Sequence, residues 1–320
     1  MKRLISLKAF AEKLKTEKSV AIFSHVRPDG DTVGSALALS LALKSLGIKT
    51  SVYCTDEIPE RFLSFHGATE IKSELQGEYS AFLAIDSADI TRIGDFAVPF
   101  SAHKNTYSLD HHVSNRGYAK YHVMIDTAAN CENVYNLILE LGVDITKDIA
   151  NCLALGIVTD TGNFKHNNVT PETFYIASKL REKGADFNYI VFKTFTEQSK
   201  YRAKLFGLTM SSIRYFLDDK LAFATITQEN IEKSGAKPDE TEGFIDFIMG
   251  ITGVEVGVCA LETGVNSYKI SFRSKKTDVN AIANTFGGGG HVNASGCKIQ
   301  GEYEEVVDKI YCAVKRFIEI

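Results

Sequence analysis

The chain has 320 residues, of which 44% are hydrophobic and 24% charged, with a net charge of −4. That length suits two domains of roughly 100–200 residues each, and the composition excludes collagen-like or disordered character for the bulk of the chain. The weakly acidic balance argues against a large electrostatic footprint on long nucleic acid, while short anionic ligands stay open.

No segment reaches the roughly 18–20 uninterrupted apolar residues of a membrane span. Residues 1–8 begin like a signal n-region, but Lys8, Glu12, Lys13 and Lys15 break any apolar core, so the segment reads as an amphipathic helix. Cys54, Cys131, Cys152, Cys259, Cys297 and Cys312 include no CxxC pair and sit mostly among apolar neighbours. Reduced, buried thiols and a cytoplasmic location are the expectation.

Ser19–Phe23 is a short apolar run suited to a buried parallel strand. A mostly apolar helix over 32–46 follows and is closed by Gly47. Residues 48–54, 81–85 and 106–109 read as further strands, and helices are expected at 130–141 and 146–158. Alternating β and α segments imply a parallel sheet covered by helices. From 170 to 215 the pattern is helical, opened by Pro171. Lys193, Glu197, Lys200, Arg202 and Lys204 mark a charged joint. In the last third, strands are expected at 221–226, 254–261 and 267–272, and helices at 239–250, 278–285 and 303–318, with Gly287–Gly290 as a loop. The expected fold is α/β: a parallel-sheet domain over 1–188, a helical linker over 189–208 and a smaller α+β domain over 209–320, with a cleft between the domains.

Four polar clusters fall at the ends of these elements. His25, Asp29 and Asp31 lie on a turn between a strand and a helix, which is where parallel sheets bind ligands. Helix capping by Asp31, turn formation by Asp29 and a strand-end His25 would explain the same residues. Asp86 directly follows the 81–85 strand, where capping is the alternative. Asp110, His111 and His112 follow the next strand. Successive side chains of an extended chain diverge, so one histidine is expected as a ligand and its neighbour facing substrate; a surface histidine pair is the alternative. Asp160 ends an apolar helix, an unfavourable place for an acid unless something positive compensates. Together His25, Asp29, Asp31, Asp86, His111 and Asp160 form a mixed carboxylate and imidazole set that suits Mn²⁺, with Mg²⁺, Co²⁺ or Zn²⁺ as alternatives. Four carboxylates balance two divalent cations, which favours a two-metal centre.

In the last third, Gly288, Gly289 and Gly290 precede His291. Consecutive glycines let backbone amides approach an anion, and His291 can donate to a phosphate; a flexible turn is the alternative. Arg273, beside Ser274, offers a planar fork for phosphate, or is an exposed strand arginine.

The set resembles the DHH phosphoesterase superfamily. His25 to Asp31 is similar to its His-x-x-Pro-Asp-x-Asp motif, followed in order by the lone Asp86, the Asp110-His111-His112 that names the group, and Asp160-Thr161-Gly162. Gly288–His291 and Ser271–Ser274 are similar to elements of the accompanying DHHA1 domain. The resemblance covers nearly the whole chain. It implies the branch that hydrolyses short oligonucleotides (nanoRNases) and removes the 3′-phosphate of 3′-phosphoadenosine 5′-phosphate (pAp), using a hydroxide bridging two ions. By position, His25, Asp29 and Asp86 would hold the first ion. Asp31, Asp86, His111 and Asp160 would hold the second. His112 and Asp110 would be catalytic, and Arg116, Arg273, Ser274, Gly288, Gly289, Gly290 and His291 would contact substrate. RNA or DNA of about two to five nucleotides, pAp and dinucleotides are the implied partners, with no membrane and with the oligomeric state open between monomer and homodimer. Asn163 departs from the arginine common after the Asp-Thr-Gly segment, leaving Lys165, His166 or Arg116 as stand-ins. The rival readings are a cyclic or linear dinucleotide phosphodiesterase, a RecJ-like exonuclease, a family II pyrophosphatase and a nucleotide-binding regulator.

Overall fold

A computed structural model describes residues 3–318. The chain divides into two compact units, with the division between Glu197 and Gln198. Across the joint, Ile190 is buried in the core of the first unit and Leu205 in a core of the second. Among the described residues, no helix is long and apolar enough to cross a membrane.

The first unit is built on six parallel strands: β1 (Arg3–Leu4), β2 (Ser19–Phe23), β3 (Lys49–Tyr53), β4 (Ala81–Ile85), β5 (Thr106–Asp110) and β6 (Tyr121–Met124), in the order β1-β6-β5-β4-β2-β3. The period-2 geometry of a strand sends alternate residues to opposite faces. Val20 and Ile22 enter one core, and Ala21 and Phe23 the other. On β4, Ala81, Leu83 and Ile85 join the first core while Phe82 and Ala84 join the second. Burial on both faces explains why these runs are uninterrupted apolar sequence. The helices are α1 (Leu7–Leu14), α2 (Gly30–Ser45), α3 (Ala97–Ala102), α4 (Asn130–Leu141), α5 (Lys147–Asp160), α6 (Pro171–Glu182) and α7 (Phe187–Val191). Helix α2 is buried along almost its whole length, which is why its sequence lacks a polar face. The amphipathic helix expected at the N-terminus is α1; Arg3–Leu4 before it is instead an edge strand paired with β6, and residues 1–2 lie outside the described residues. Neither β1 nor β6 carries a long apolar run, so the sequence pattern passes over both.

Strand order locates the ligand end of this sheet. From β2 the chain moves to β3 on one side and then to β4 on the other. The switch point therefore lies between β2 and β4, and side chains just beyond their carboxyl ends border a crevice. His25 and Asp86 are those side chains.

The second unit has a mixed six-stranded sheet in the order β11-β12-β10-β9-β8-β7. Its strands are β7 (Arg214–Phe216), β8 (Leu221–Ile226), β9 (Val256–Gly264), β10 (Ser267–Ser274), β11 (Gly289–His291) and β12 (Ala294–Gln300). Only the β8–β9 pairing is parallel. The helices are α8 (Lys200–Ser211), α9 (Gln228–Ser234), α10 (Phe244–Met249), α11 (Val279–Asn284) and α12 (Tyr303–Lys315). Leu221 and Phe223 of β8 pack into the core that includes α11 and α12, and Ala222, Ala224 and Ile226 into the core that includes α8 and α10.

One expectation is corrected here. The glycine run is not a loop throughout, because Gly289–His291 pairs antiparallel with Ala294–Gly296 as an edge strand. A Cβ at Gly288 would lie 2.2 Å from the Gly296 carbonyl oxygen, and one at Gly290, where φ is +154°, 2.5 Å from that of Ala294. Close backbone approach is what requires glycine at these two positions.

Candidate metal centre

Each side chain of the cluster is aimed by local backbone chemistry. Asp29 is the N-cap of α2, where its Oδ1 accepts from the amides of Asp31 and Thr32, both at 3.1 Å. Its Oδ2 is left over and lies 3.4 Å from His25 Nε2. Asp31 does not cap its own helix. It reaches to the start of α4, whose N-cap Ala129 has no side-chain acceptor. There its two oxygens accept from the amides of Asn130 at 2.5 Å and Cys131 at 2.9 Å. Capping and ligand roles are thus compatible in both residues.

His25 Nδ1 lies 2.9 Å from the Val26 carbonyl oxygen and 3.2 Å from Arg92 Nη2. The closer carbonyl takes the Nδ1 proton, so Nε2 faces Asp29 and, at 3.6 Å, Asp86 Oδ2. His111 repeats the arrangement: its Nδ1–H donates to the Thr127 carbonyl at 2.9 Å. Its Nε2 lies 3.5 Å from Asp86 Oδ1, 3.5 Å from Asp160 Oδ2 and 4.0 Å from Asp31 Oδ2. An outer carbonyl that fixes the tautomer of a metal-facing imidazole is the usual support of such ligands.

Asp86 is the centre of the arrangement. It follows β4 with φ +52°, a left-handed conformation that aspartate tolerates better than most residues. It is 2% exposed, and its Oδ1 has no hydrogen-bond partner. A buried carboxylate oxygen without a donor is costly and asks for a cation. Three overlapping donor groups meet here, His25–Asp29–Asp86, Asp31–His111–Asp160 and Asp86–His111–His112, with the donor atoms of each within 4.8 Å of one another.

The adjacent histidines do not diverge as an extended strand would make them. β5 ends at Asp110, and the two rings meet edge-on at 4.6 Å. His112 Nδ1 is 3.7 Å from Asp86 Oδ1 but 2.8 Å from Asp110 Oδ1, so its proton is committed to Asp110. Asp110 is fully buried, and its other oxygen accepts from Asn115 Nδ2 at 2.7 Å.

The electrostatics of the ion-free cluster are frustrated. Burial, followed by the charges of Asp86 and Asp29, pushes the Asp31 carboxyl well above the usual range despite its two amide donors. Asp160, at the end of α5, is pushed up to about 9 by burial and by Asp31, Asp86 and Asp29. Burial alone would lower His25, but the hydrogen bonds and charges of Asp29 and Asp86 prevail and raise it to about 10. Crowded, buried carboxylates and an Asp86 oxygen without a donor are what divalent ions would satisfy. The donor set fits metal.

The remaining candidates lie elsewhere. Arg116 is exposed on the loop after His112, without an ion pair among the described residues. Of the stand-ins near Asn163, His166 Nδ1 turns back to the Asp160 carbonyl at 3.1 Å. Arg273 lies on β10, half-exposed, donating to the Phe272 carbonyl at 3.0 Å with Asp246 at 4.0 Å. Ser274 accepts from Asn293 Nδ2 at 3.2 Å, and His291 is exposed on β11. Sequence reasoning passed over Arg92, Asn115, Asn130 and Asn168, which touch the ligands or their supports. Asn168 donates to the carbonyls of Ala128 and Asp160 at 3.0 and 3.3 Å. No spacing rule marks such residues.

The fold and the cluster define a parallel α/β protein carrying a paired acidic and histidine centre at its topological switch, joined to a mixed-sheet unit. The chain belongs to the DHH family: the DHH family N-terminal domain matches residues 19–157, and the DHHA1 domain matches residues 218–319. It is 32% identical, over 95% of its length and 93% of the relative's, to the bifunctional oligoribonuclease and PAP phosphatase NrnA of Thermus thermophilus. The protein of that name in Bacillus subtilis is 28% identical over 88% of this chain and 89% of its own. An exopolyphosphatase-related protein from Bacteroides fragilis superposes with a TM-score of 0.83 at 28% identity, covering 97% of this chain and 95% of that one.

Proposed function

We propose that the protein is a metal-dependent phosphoesterase that cleaves short oligonucleotides of about two to five residues to mononucleotides and removes the 3′-phosphate of pAp. The observation that carries the reading is the buried Asp86 carboxylate, one oxygen facing His25 and the other facing His111, so that it stands in one donor group with His25 and Asp29 and in another with His111 and His112. The likeness to two oligoribonuclease and PAP phosphatase relatives over most of both chains supports the substrate class. His25, Asp29 and Asp86 would hold one ion, and Asp31, Asp86, His111 and Asp160 the other; the mixed oxygen and imidazole donors suit Mn²⁺.

Two bound ions supply Lewis acidity to the phosphoryl oxygens and a nucleophile from water at neutral pH. The protein's own part is orientation. Val26 and Thr127 hold His25 and His111 with Nε2 inward. Asp110, pinned by Asn115, takes the Nδ1 proton of His112 and leaves its Nε2 available to a phosphoryl oxygen. In the second unit, Arg273, Ser274, Gly288, Gly289, Gly290 and His291 contact the nucleotide, and Arg116 is assigned to substrate in the first. Five of the six cysteines are buried and unpaired, which suits the cytoplasmic location we assign.

The test is a substrate panel of pAp, pApA, a pentanucleotide, c-di-AMP, pyrophosphate and a long oligomer, each with Mn²⁺ and with EDTA. Turnover of pAp, pApA and the pentanucleotide that EDTA abolishes is expected. Preference for c-di-AMP, pyrophosphate or the long strand would refute the assignment.

A further inference from the structure

We propose that Gly156, in the middle of α5 and outside every ligand group, is the positioning residue that seats the second ion by leaving room for the Asp31 carboxylate. The proposal rests on the two-ion reading above. A Cβ at Gly156 would lie 2.4 Å from Asp31 Oδ1, 3.0 Å from Asp31 Cα and 2.3 Å from Cys131 Sγ. The contacts at 2.3 and 2.4 Å are shorter than a carbon atom tolerates, and the one at 3.0 Å would need the α2 backbone to give by a few tenths of an ångström.

Relief by moving Asp31 is closed off. Its Oδ1 is the atom that accepts the Cys131 amide at 2.9 Å, and its Oδ2 accepts that of Asn130 at 2.5 Å. The carboxylate is therefore clamped between the start of α4 and the bare backbone of α5. The crossing is tight on the α2 side as well, since a Cβ at Gly34 would lie 2.3 Å from the Cys152 carbonyl oxygen and 3.2 Å from the Gly156 amide nitrogen of α5.

The consequence is selective. Asp31, His111 and Asp160 form one donor group. His25, Asp29 and Asp86 are aimed by the turn before α2 and by the end of β4, which Gly156 does not touch. A methyl group at 156 displaces one carboxylate of the second group and leaves the first intact. It acts through Asp31 and does not touch the ions or the substrate.

The test is titration of the metal-free full-length protein with Mn²⁺, read by calorimetry and by the EPR signal of unbound ion, with circular dichroism as the check on fold. Wild type should take two equivalents. Gly156→Ala should take one at near wild-type affinity, with the second weakened about 100-fold, the upper range for loss of a ligand's support. Asp31→Asn should behave alike. Because the Cys131 contact could unfold the single variant, Gly156→Ala/Cys131→Ala is measured too; it removes the sulfur collision and keeps the one with Asp31. Either folded variant binding two equivalents as wild type does would overturn the proposal, as would failure of both variants to fold. Wild type binding fewer than two ions would instead overturn the two-ion reading.

Discussion

Two donor groups of the centre, His25–Asp29–Asp86 and Asp31–His111–Asp160, are made in different ways. In the first, His25, Asp29 and Asp86 are aimed by their own neighbourhoods: a carbonyl one residue on, a helix cap, and a left-handed residue at a strand end. In the second, Asp31 of α2, His111 just after β5 and Asp160 of α5 come from three elements, and Asp31 is placed by the amides of α4. Locally encoded geometry survives small changes in packing, whereas geometry that depends on helix crossings does not. The second group is therefore the fragile half, and in the proposed two-ion arrangement Asp86 joins it to the first.

The largest effect should come from breaking what the halves share. Asp86→Asn keeps the left-handed backbone, which asparagine also tolerates, and removes one charge and one ligand oxygen. A loss of about 10³-fold or more in kcat/KM is expected, in line with removal of a principal electrostatic element, with an unchanged circular dichroism spectrum. Near-normal turnover at saturating Mn²⁺ would show that the halves are independent.

A smaller effect is read by pH. Without ions, Asp160 titrates at about 9 in the fold against an ordinary 3.8. The folded state binds more protons than the unfolded chain between those values, so this group's contribution to stability falls as pH rises through that window. His25, raised to about 10 from 6.5, has the same sign: its contribution is complete below 6.5 and is lost as pH climbs towards 10. The metal-free protein should therefore gain from Asp160→Asn at pH 8, by about 2–4 °C in melting temperature for a unit of this size. The gain should shrink towards pH 4 and reverse with Mn²⁺. A lower melting temperature for the metal-free variant at pH 8 would contradict the charge frustration described here.

The same contrast explains what could be read from the chain alone. The apolar runs of β2 and β4 and the motif residues at their ends are short-range signals, and the elements stand where those signals put them. The dual employment of Asp29 and Asp31 is half legible: the sequence points to a cap here but assigns it to Asp31, whereas Asp29 caps α2 and Asp31 serves the start of α4, about one hundred residues away. The weakly patterned β1 and β6 were missed because pairing with neighbours, not composition, makes them strands. The glycines before His291 read as a loop because sequence shows missing side chains and not the strand that lies against them. The role of Asn115, which holds Asp110, is a tertiary contact with no local signature.

We propose that two ions share Asp86. Anomalous diffraction at the manganese edge from crystals soaked in Mn²⁺ tests it most directly. The account predicts two peaks about 3.5–4 Å apart, one among His25, Asp29 and Asp86 and one among Asp31, His111 and Asp160, with the Asp86 carboxylate touching both. A single peak, or two peaks of which Asp86 reaches only one, would contradict it.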